Sequence, residues 1–534
     1  MIAPRRFAMA LCLIPFATPA LVLLQLPFTS SSWSVWREAP RILEQFAFTV
    51  ALISLSVGFA IPVGALLAVL AFRLRIRGAT CLRGLLLALL FVPLPALAAG
   101  WVACFRVVGL RPSDSGLLIA AWIHALAALP WVVWIVGVAL RRVDRDREEA
   151  ALLELPARQV LLQVTLRECR PIIALAAFGI AVHCLSEIAV TDLTGTPTLA
   201  EEAYLQFSGD RLGLERTVAL FIPLVVLLMV AAGRLIASQP PTLLMEADQP
   251  ALLFIPTPRN GVLCTTLFAL IAAIFCLPLV ALLNTAANGS LHDFANGMLL
   301  VVRAHGRTIV ESLFWSSLAA ALAASAALYL GWSVLDLRRG TRLLFLLAVA
   351  LWVIPGPVVG FGLNSLIQDL LDLEEFVLGR GDGTHPLNTL LYNSPSPIPV
   401  LWVQTIRLFP FAFALQWLML RRIPREEIES ARIDGGHGWP LFRWIIWPRM
   451  RRTFFVAVLA GMALAMGELS ATKIAQVPGR RTFIEEMFSQ MHYGADATVA
   501  RLVLVQLAIA GALMLTVIAV GRVQGKGSST ARPS

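Results

Sequence analysis

The 534-residue chain is short of charge: only 14% of its residues are Asp, Glu, Lys or Arg, whereas 58% are hydrophobic. A water-soluble chain of this length carries more charge and shorter apolar runs, so a soluble globular protein is excluded. Its seven cysteines are odd in number and scattered (Cys12, Cys104, Cys184, Cys264 and Cys276 fall in apolar runs), with no Cys-x-x-Cys pair. That pattern argues for apolar packing and against a disulfide framework or a thiolate metal site. The chain also lacks a Gly-x-x-x-x-Gly-Lys-Ser/Thr loop to cradle phosphates. The nearest string, Gly525-Lys526-Gly527, has the wrong spacing and lies in a polar tail. Hydrolysis of ATP by this chain alone is therefore not expected. Neither a His-Glu-x-x-His string nor a Ser/His/Asp constellation is present, so the sequence supports neither a membrane-embedded enzyme nor a resident cofactor.

What the chain does have is a succession of apolar runs long enough to cross a bilayer as helix, for which about 20 residues suffice. Mean hydropathy is +0.78. We read an all-α polytopic membrane protein of about twelve spans: 7–28, 46–72, 84–106, 116–140, 172–192, 216–238, 262–285, 309–333, 342–366, 398–420, 453–473 and 498–521. Arg5 and Arg6 precede the first run, as in a signal peptide, but that run is longer than a signal-peptide core and is expected to be retained. Basic residues cluster in alternate loops: Arg73, Arg75, Arg77 and Arg83; Arg141, Arg142, Arg145 and Arg147; Arg338, Arg339 and Arg342; and Arg421, Arg422, Arg425, Arg449, Arg451 and Arg452. The positive-inside rule then places these loops and both termini in the cytoplasm of a cell (inner) membrane. The formal net charge of +10 is a topology signal that needs no nucleic-acid partner.

The sequence also repeats itself. Pro93-Leu-Pro95 matches Pro355-Gly-Pro357; His124 and Pro130 match Gln404 and Pro410; Ser-Glu187-Ile-Ala-Val-Thr191 matches Gly-Glu468-Leu-Ser-Ala-Thr472; Glu201-Glu202 matches Glu485-Glu486. Equivalent positions are six spans apart, so the spacing predicts two parallel six-helix repeats, an arrangement known among transporters. The expected organisation is a first half over 1–238 (core about 46–238), a cytoplasmic linker over 239–258, a second half over 259–521 (core about 309–521), and a polar tail over 522–534.

The most informative repeated element is polar. One copy carries Glu149, Ala150, Ala151 and Glu154; the other, 280 residues on (149 to 429), carries Glu429, Ala431, Asp434 and Gly435, then Phe442, Ile445 and Pro448. Each reads as helix–turn–helix along the membrane surface, presenting acidic and small residues to a partner. These residues resemble the EAA loop of binding-protein-dependent ABC importer permeases (type I). The second copy is close to that pattern; in the first, Leu155 replaces the glycine, Leu162 the aromatic residue, and Arg167 stands near the expected proline. Length and fused halves are similar to the permeases of ferric-iron and thiamine importers. The resemblance implies a translocation path between the halves and a coupling loop on each half for two copies of a cytoplasmic ATP-binding subunit. It also implies an extracytoplasmic solute-binding protein that delivers the cargo, with ferric iron favoured and thiamine, phosphonate or another small solute as alternatives. An ion-coupled secondary transporter is the competing class, although a major-facilitator protein places its charged signature after span two and not after span four.

Four ionisable residues fall inside spans: His183, Glu187, Arg407 and Glu468. Charge at membrane depth usually faces a bundle interior or a water-filled path. Two readings remain open for them: lining of the path or its gate, and snorkelling or helix-to-helix hydrogen bonding. His183 and Glu187 share a helix face, but two ligands on one turn are too few for a metal site.

Overall fold

The computed structural model describes residues 12–16, 32–76, 78–111, 115–205, 211–238, 254, 258–335, 337–379, 385–393 and 395–527. Among them the fold is all-α, and its one β feature is an isolated parallel bridge between Leu74 and Phe254. Seven helices are long and apolar enough to cross a membrane, and up to ten spans result if each of three sharply bent helix pairs counts as one. The predicted first span lies almost wholly outside the described residues, as does most of the predicted linker.

The helices that position the motifs are α1 (Ala39–Phe72), α2 (Ala79–Leu89), α3 (Leu94–Val107), α4 (Gly116–Leu140) and α5 (Arg145–Leu152). They are followed by α6 (Arg170–Ser186), α7 (Ala189–Thr194), α8 (Leu199–Leu205), α9 (Arg211–Ser238), α10 (Pro258–Ala287) and α11 (Leu291–Val334). The rest of the chain forms α12 (Arg338–Val353), α13 (Gly356–Leu378), α14 (Ile398–Leu420), α15 (Arg425–Ile433), α16 (Trp447–Ala465), α17 (Thr472–Ala475), α18 (Phe483–His492) and α19 (Asp496–Gly527).

The sequence reading expects the Pro-x-Pro pairs to kink two continuous spans. The structure breaks both: α2 and α3 meet at 105°, α12 and α13 at 104°. Pro93 and Pro355 are extended (ψ 143 and 146) and stand just before the new helix, while Pro95 and Pro357 lie in its first turn. A proline there loses nothing, because first-turn amides have no intrahelical acceptor. Two prolines one residue apart thus stop one helix and start the next.

Three other expectations shift. Span five ends at Ser186, where Glu187 turns extended, and span eleven ends at Ala465, just before Gly467 and Glu468. That helix, 19 residues long, opens with Arg449, Arg451 and Arg452, too much charge for an apolar span of its length. Span eight is the second part of a 44-residue helix, α11. At 1.5 Å per residue α11 is about 66 Å long, twice a bilayer core. Its first half carries Asp293, Arg303, Arg307 and Glu311, consistent with a solvated extension.

The core is built mainly from α1 against α4 and from α11 against α14 and α16. Small residues let these helices approach. A Cβ added at Gly116, the start of α4, would collide with the Thr194 carbonyl oxygen at the end of α7. Gly116→Ala is expected to cost about 1–3 kcal/mol through overpacking, read as a lower unfolding temperature in detergent. Unchanged stability would show that α7 shifts aside.

Candidate functional site

Each motif helix hangs below the end of a long span, α5 after α4 and α15 after α14. Asp144 caps α5, its side chain accepting from the Asp146 amide at 3.0 Å. One face of each motif helix packs inward at a matched position, but with different chemistry. In α5 the inward residue is Glu148, fully buried. It pairs with the equally buried Arg73 at the end of α1 and accepts a 2.5 Å hydrogen bond from the Thr165 hydroxyl. Arg73 also donates to the Leu140 carbonyl at 2.9 Å. In α15 the inward residue is Ile428, packed with Leu335 and Ile446, the counterparts of Arg73 and Thr165. One loop seats on a buried ion pair, the other on an apolar cluster.

A second clamp appears in both loops with its charges exchanged. Arg147 of α5 pairs with Glu168 at 2.9 Å; Glu427 of α15 pairs with Arg449. Both tie the motif helix to the start of the following span. Formation of this pair raises the Arg147 pKa, chiefly through its hydrogen bond to Glu168. The segment between helix and span also recurs, as a single π-helical turn at Leu161–Thr165 and at Phe442–Ile446. Such turns are rare and concentrate at functional sites.

The outward faces hold the residues singled out from sequence. Glu149, Ala150, Glu154, Glu429, Asp434 and Gly435 are exposed, and Ala151 and Ala431 partly so. Glu149 is engaged by Arg145 at 2.6 Å. The turn in the second loop uses Gly435 and Gly438 at positive φ (83 and 62), a conformation that costs glycine least. The first loop does without one: Leu155 precedes extended Pro156, which caps the next short helix. Next to these acids each loop projects one aliphatic side chain into solvent, Leu153 at 88% exposure and Ile433 at 86%. Sequence reasoning missed both, along with Glu148 and Arg73. Leu153 and Ile433 follow the motif Glu by four residues in each copy, which was a readable signal.

The four ionisable residues predicted within spans come together. Glu187 accepts from the Ala189 and Val190 amides, both at 2.9 Å; Glu468 accepts from the Ala471 and Thr472 amides at 2.9 and 3.0 Å. Each carboxylate thereby caps the short helix that follows the break. The two glutamates lie within Coulombic reach of each other, Arg407 within reach of Glu468, and His183 within reach of Arg407. Arg407 donates to the Ile354 carbonyl at 3.0 Å, filling an acceptor freed by the α12–α13 break. The His183 ring meets the fully buried His124 edge-on at 5.8 Å, and neither His124 ring nitrogen has a partner. Among the described residues no three His, Cys, Asp or Glu side chains are grouped to hold a metal ion.

The sequence matches no known family model. No curated protein matches it either.

Proposed function

We propose that this chain is the membrane permease of a binding-protein-dependent importer whose ATP hydrolysis resides on two separate cytoplasmic subunits. The observation that carries the reading is the pair of loops: each presents a solvent-exposed aliphatic residue, Leu153 or Ile433, flanked by exposed acids. A large apolar side chain at nearly full exposure beside charge is what a docking groove on a partner would bury. The order of elements supports two parallel repeats: long span, Pro-broken pair, Pro-containing span, motif helix, π turn, Glu-capped break, acidic short helix, last span. The cluster of Glu187, Glu468, His183 and Arg407 draws on both parts of the chain, which supports reading it as the translocation path or its gate. Ferric iron is the cargo that the family resemblance favours, with thiamine or phosphonate next.

Co-purification with a candidate cytoplasmic ATP-binding subunit co-expressed with it tests the reading. The expected result is a complex with two copies of that subunit whose ATPase is stimulated by a solute-loaded binding protein. Solute uptake by vesicles holding this chain alone, driven by an ion gradient, would replace the importer with an ion-coupled carrier.

A further inference from the structure

Past Pro130 the positions of α4 that are not buried are Trp131, Trp134, Ile135 and Val138, and past Pro410 those of α14 include their counterparts Phe411, Ala414, Leu415 and Leu418. All eight are apolar, and neither stretch, 131–140 or 411–420, holds an ionisable residue. Ile135 and Val138 follow Trp131 by four and seven residues, and Leu415 and Leu418 follow Phe411 by the same steps, so each set shares one helix face. The first members say what the two faces look at. The Trp131 and Phe411 rings meet edge to face, with centroids 6.5 Å apart and planes at 90°. The two stripes therefore flank one gap between the parts of the chain. Ile135, Val138 and Leu418 are exposed, so the gap is open on the loop side of the ring contact.

Trp131 and Phe411 also stand at equivalent places, 280 residues apart (131 to 411). Under the two-repeat reading, equivalent residues touch only beside the axis that relates the repeats, so the contact lies across any path that follows that axis. Four residues before Phe411, on the same face and away from the loop, is Arg407; its counterpart before Trp131 is Ala127. Arg407 is within Coulombic reach of Glu468 and of His183. The polar cluster thus begins one turn beyond the rings. Two aromatic side chains separate an apolar vestibule from a charged interior.

We propose that Trp131 and Phe411 form a hydrophobic seal that stops water and ions passing between the vestibule and the polar cluster while the path is idle. The mechanism is dewetting. In a narrow passage walled by rings, water finds no hydrogen-bond partners and withdraws, and an ion cannot follow without its hydration shell. The edge-to-face contact is favourable but weak, as a seal that parts for cargo requires. The seal rests on reading the cluster as part of a translocation path, which the importer and the ion-coupled carrier share.

Two measurements on the full chain, without partner subunits, test it. In lipid nanodiscs Val138→Cys is expected to react readily with a membrane-impermeant maleimide, counted above the labelling of the unsubstituted chain. Ala127→Cys should react about tenfold more slowly, because the dewetted seal stands between the two positions. Trp131→Ala combined with Phe411→Ala should bring the two rates together, whereas Trp131→Phe should keep them apart. In liposomes the double alanine chain should raise proton leak, followed with an internal pH dye, about tenfold over the parent once the apolar constriction is gone. Should that chain fail to elute as a single folded species, Trp131→Gln wets the passage without emptying it and is expected to leak likewise. Equal labelling at 127 and 138 in the parent overturns the seal, as does unchanged labelling and leak in the double alanine and Trp131→Gln chains. Failure of the importer reading shows in co-purification and leaves both measurements interpretable.

Discussion

Glu148→Ala is expected to cost the folded chain about 3–5 kcal/mol, the usual penalty for breaking a buried ion pair from one side. The reason is Arg73. Its guanidinium is fully buried, with its Glu148 partner also at zero exposure, and removal of the carboxylate leaves an uncompensated charge away from water. The second loop supplies the control that shows where the penalty arises. There Leu335, Ile428 and Ile446 fill the same three places without any charge. The triple variant Arg73→Leu, Glu148→Ile, Thr165→Ile is therefore expected to stay within about 1 kcal/mol of the parent or to exceed it, since well-packed apolar groups often replace buried ion pairs at no loss. Thermal unfolding of the purified protein in detergent measures both. A triple variant as unstable as Glu148→Ala would mean that the first loop cannot repack as the second does. Part of any shortfall would come from Phe254, whose ring covers Arg73 at 5.6 Å and whose backbone bridges to Arg73 and Arg75.

Ile433→Asp is expected to weaken docking of an ATP-binding subunit by about 2 kcal/mol or more, the scale of an anchor residue lost from an interface centre. Uptake should fall by about thirtyfold if docking limits it. Charge reversal at Glu429 or Asp434 should impair uptake more than reversal at Glu149 or Glu154, because Glu149 is already engaged by Arg145 and the first turn has given up its glycine. Reconstituted uptake, measured with the partner subunits present, checks the ranking. Equal losses from both loops would show that they dock alike, and no loss from Ile433→Asp would remove the aliphatic residue from the interface.

The membrane character, the helix order and the motif loops were legible because they rest on local signals. Apolar runs, Pro-x-Pro pairs and the Glu-Ala spacing each depend on residues close together in sequence. The angle at the Pro pairs was not, since one proline predicts a kink and only the second, placed to begin a helix, converts the kink into a break. Arg73 lies 75 residues from Glu148 and sits in a run of arginines whose summed charge already had an explanation in topology. The roles of Glu187 and Glu468 were half visible: duplication marked them, but that each caps the helix after its own break depends on backbone geometry that no spacing encodes. His124 was noted only as a marker of the repeat, and its place against His183 needs two helices to be packed.

Under the proposed two-repeat reading, the exchanged clamp has a consequence for how the two loops can change over time. Arg147 faces Glu168 in one loop, and Glu427 faces Arg449 in the other. If the two parts are repeats, as proposed, the gene is open to recombination between them. A crossover falling between the two clamp positions would set Arg147 against an arginine, or Glu427 against a glutamate, at a surface joint where like charges repel. Only whole-loop exchanges keep both joints intact. The loops behave as keyed parts: each can be swapped complete but not blended with its twin, and a series of chimaeras with the junction moved from 144 to 170 would map the key.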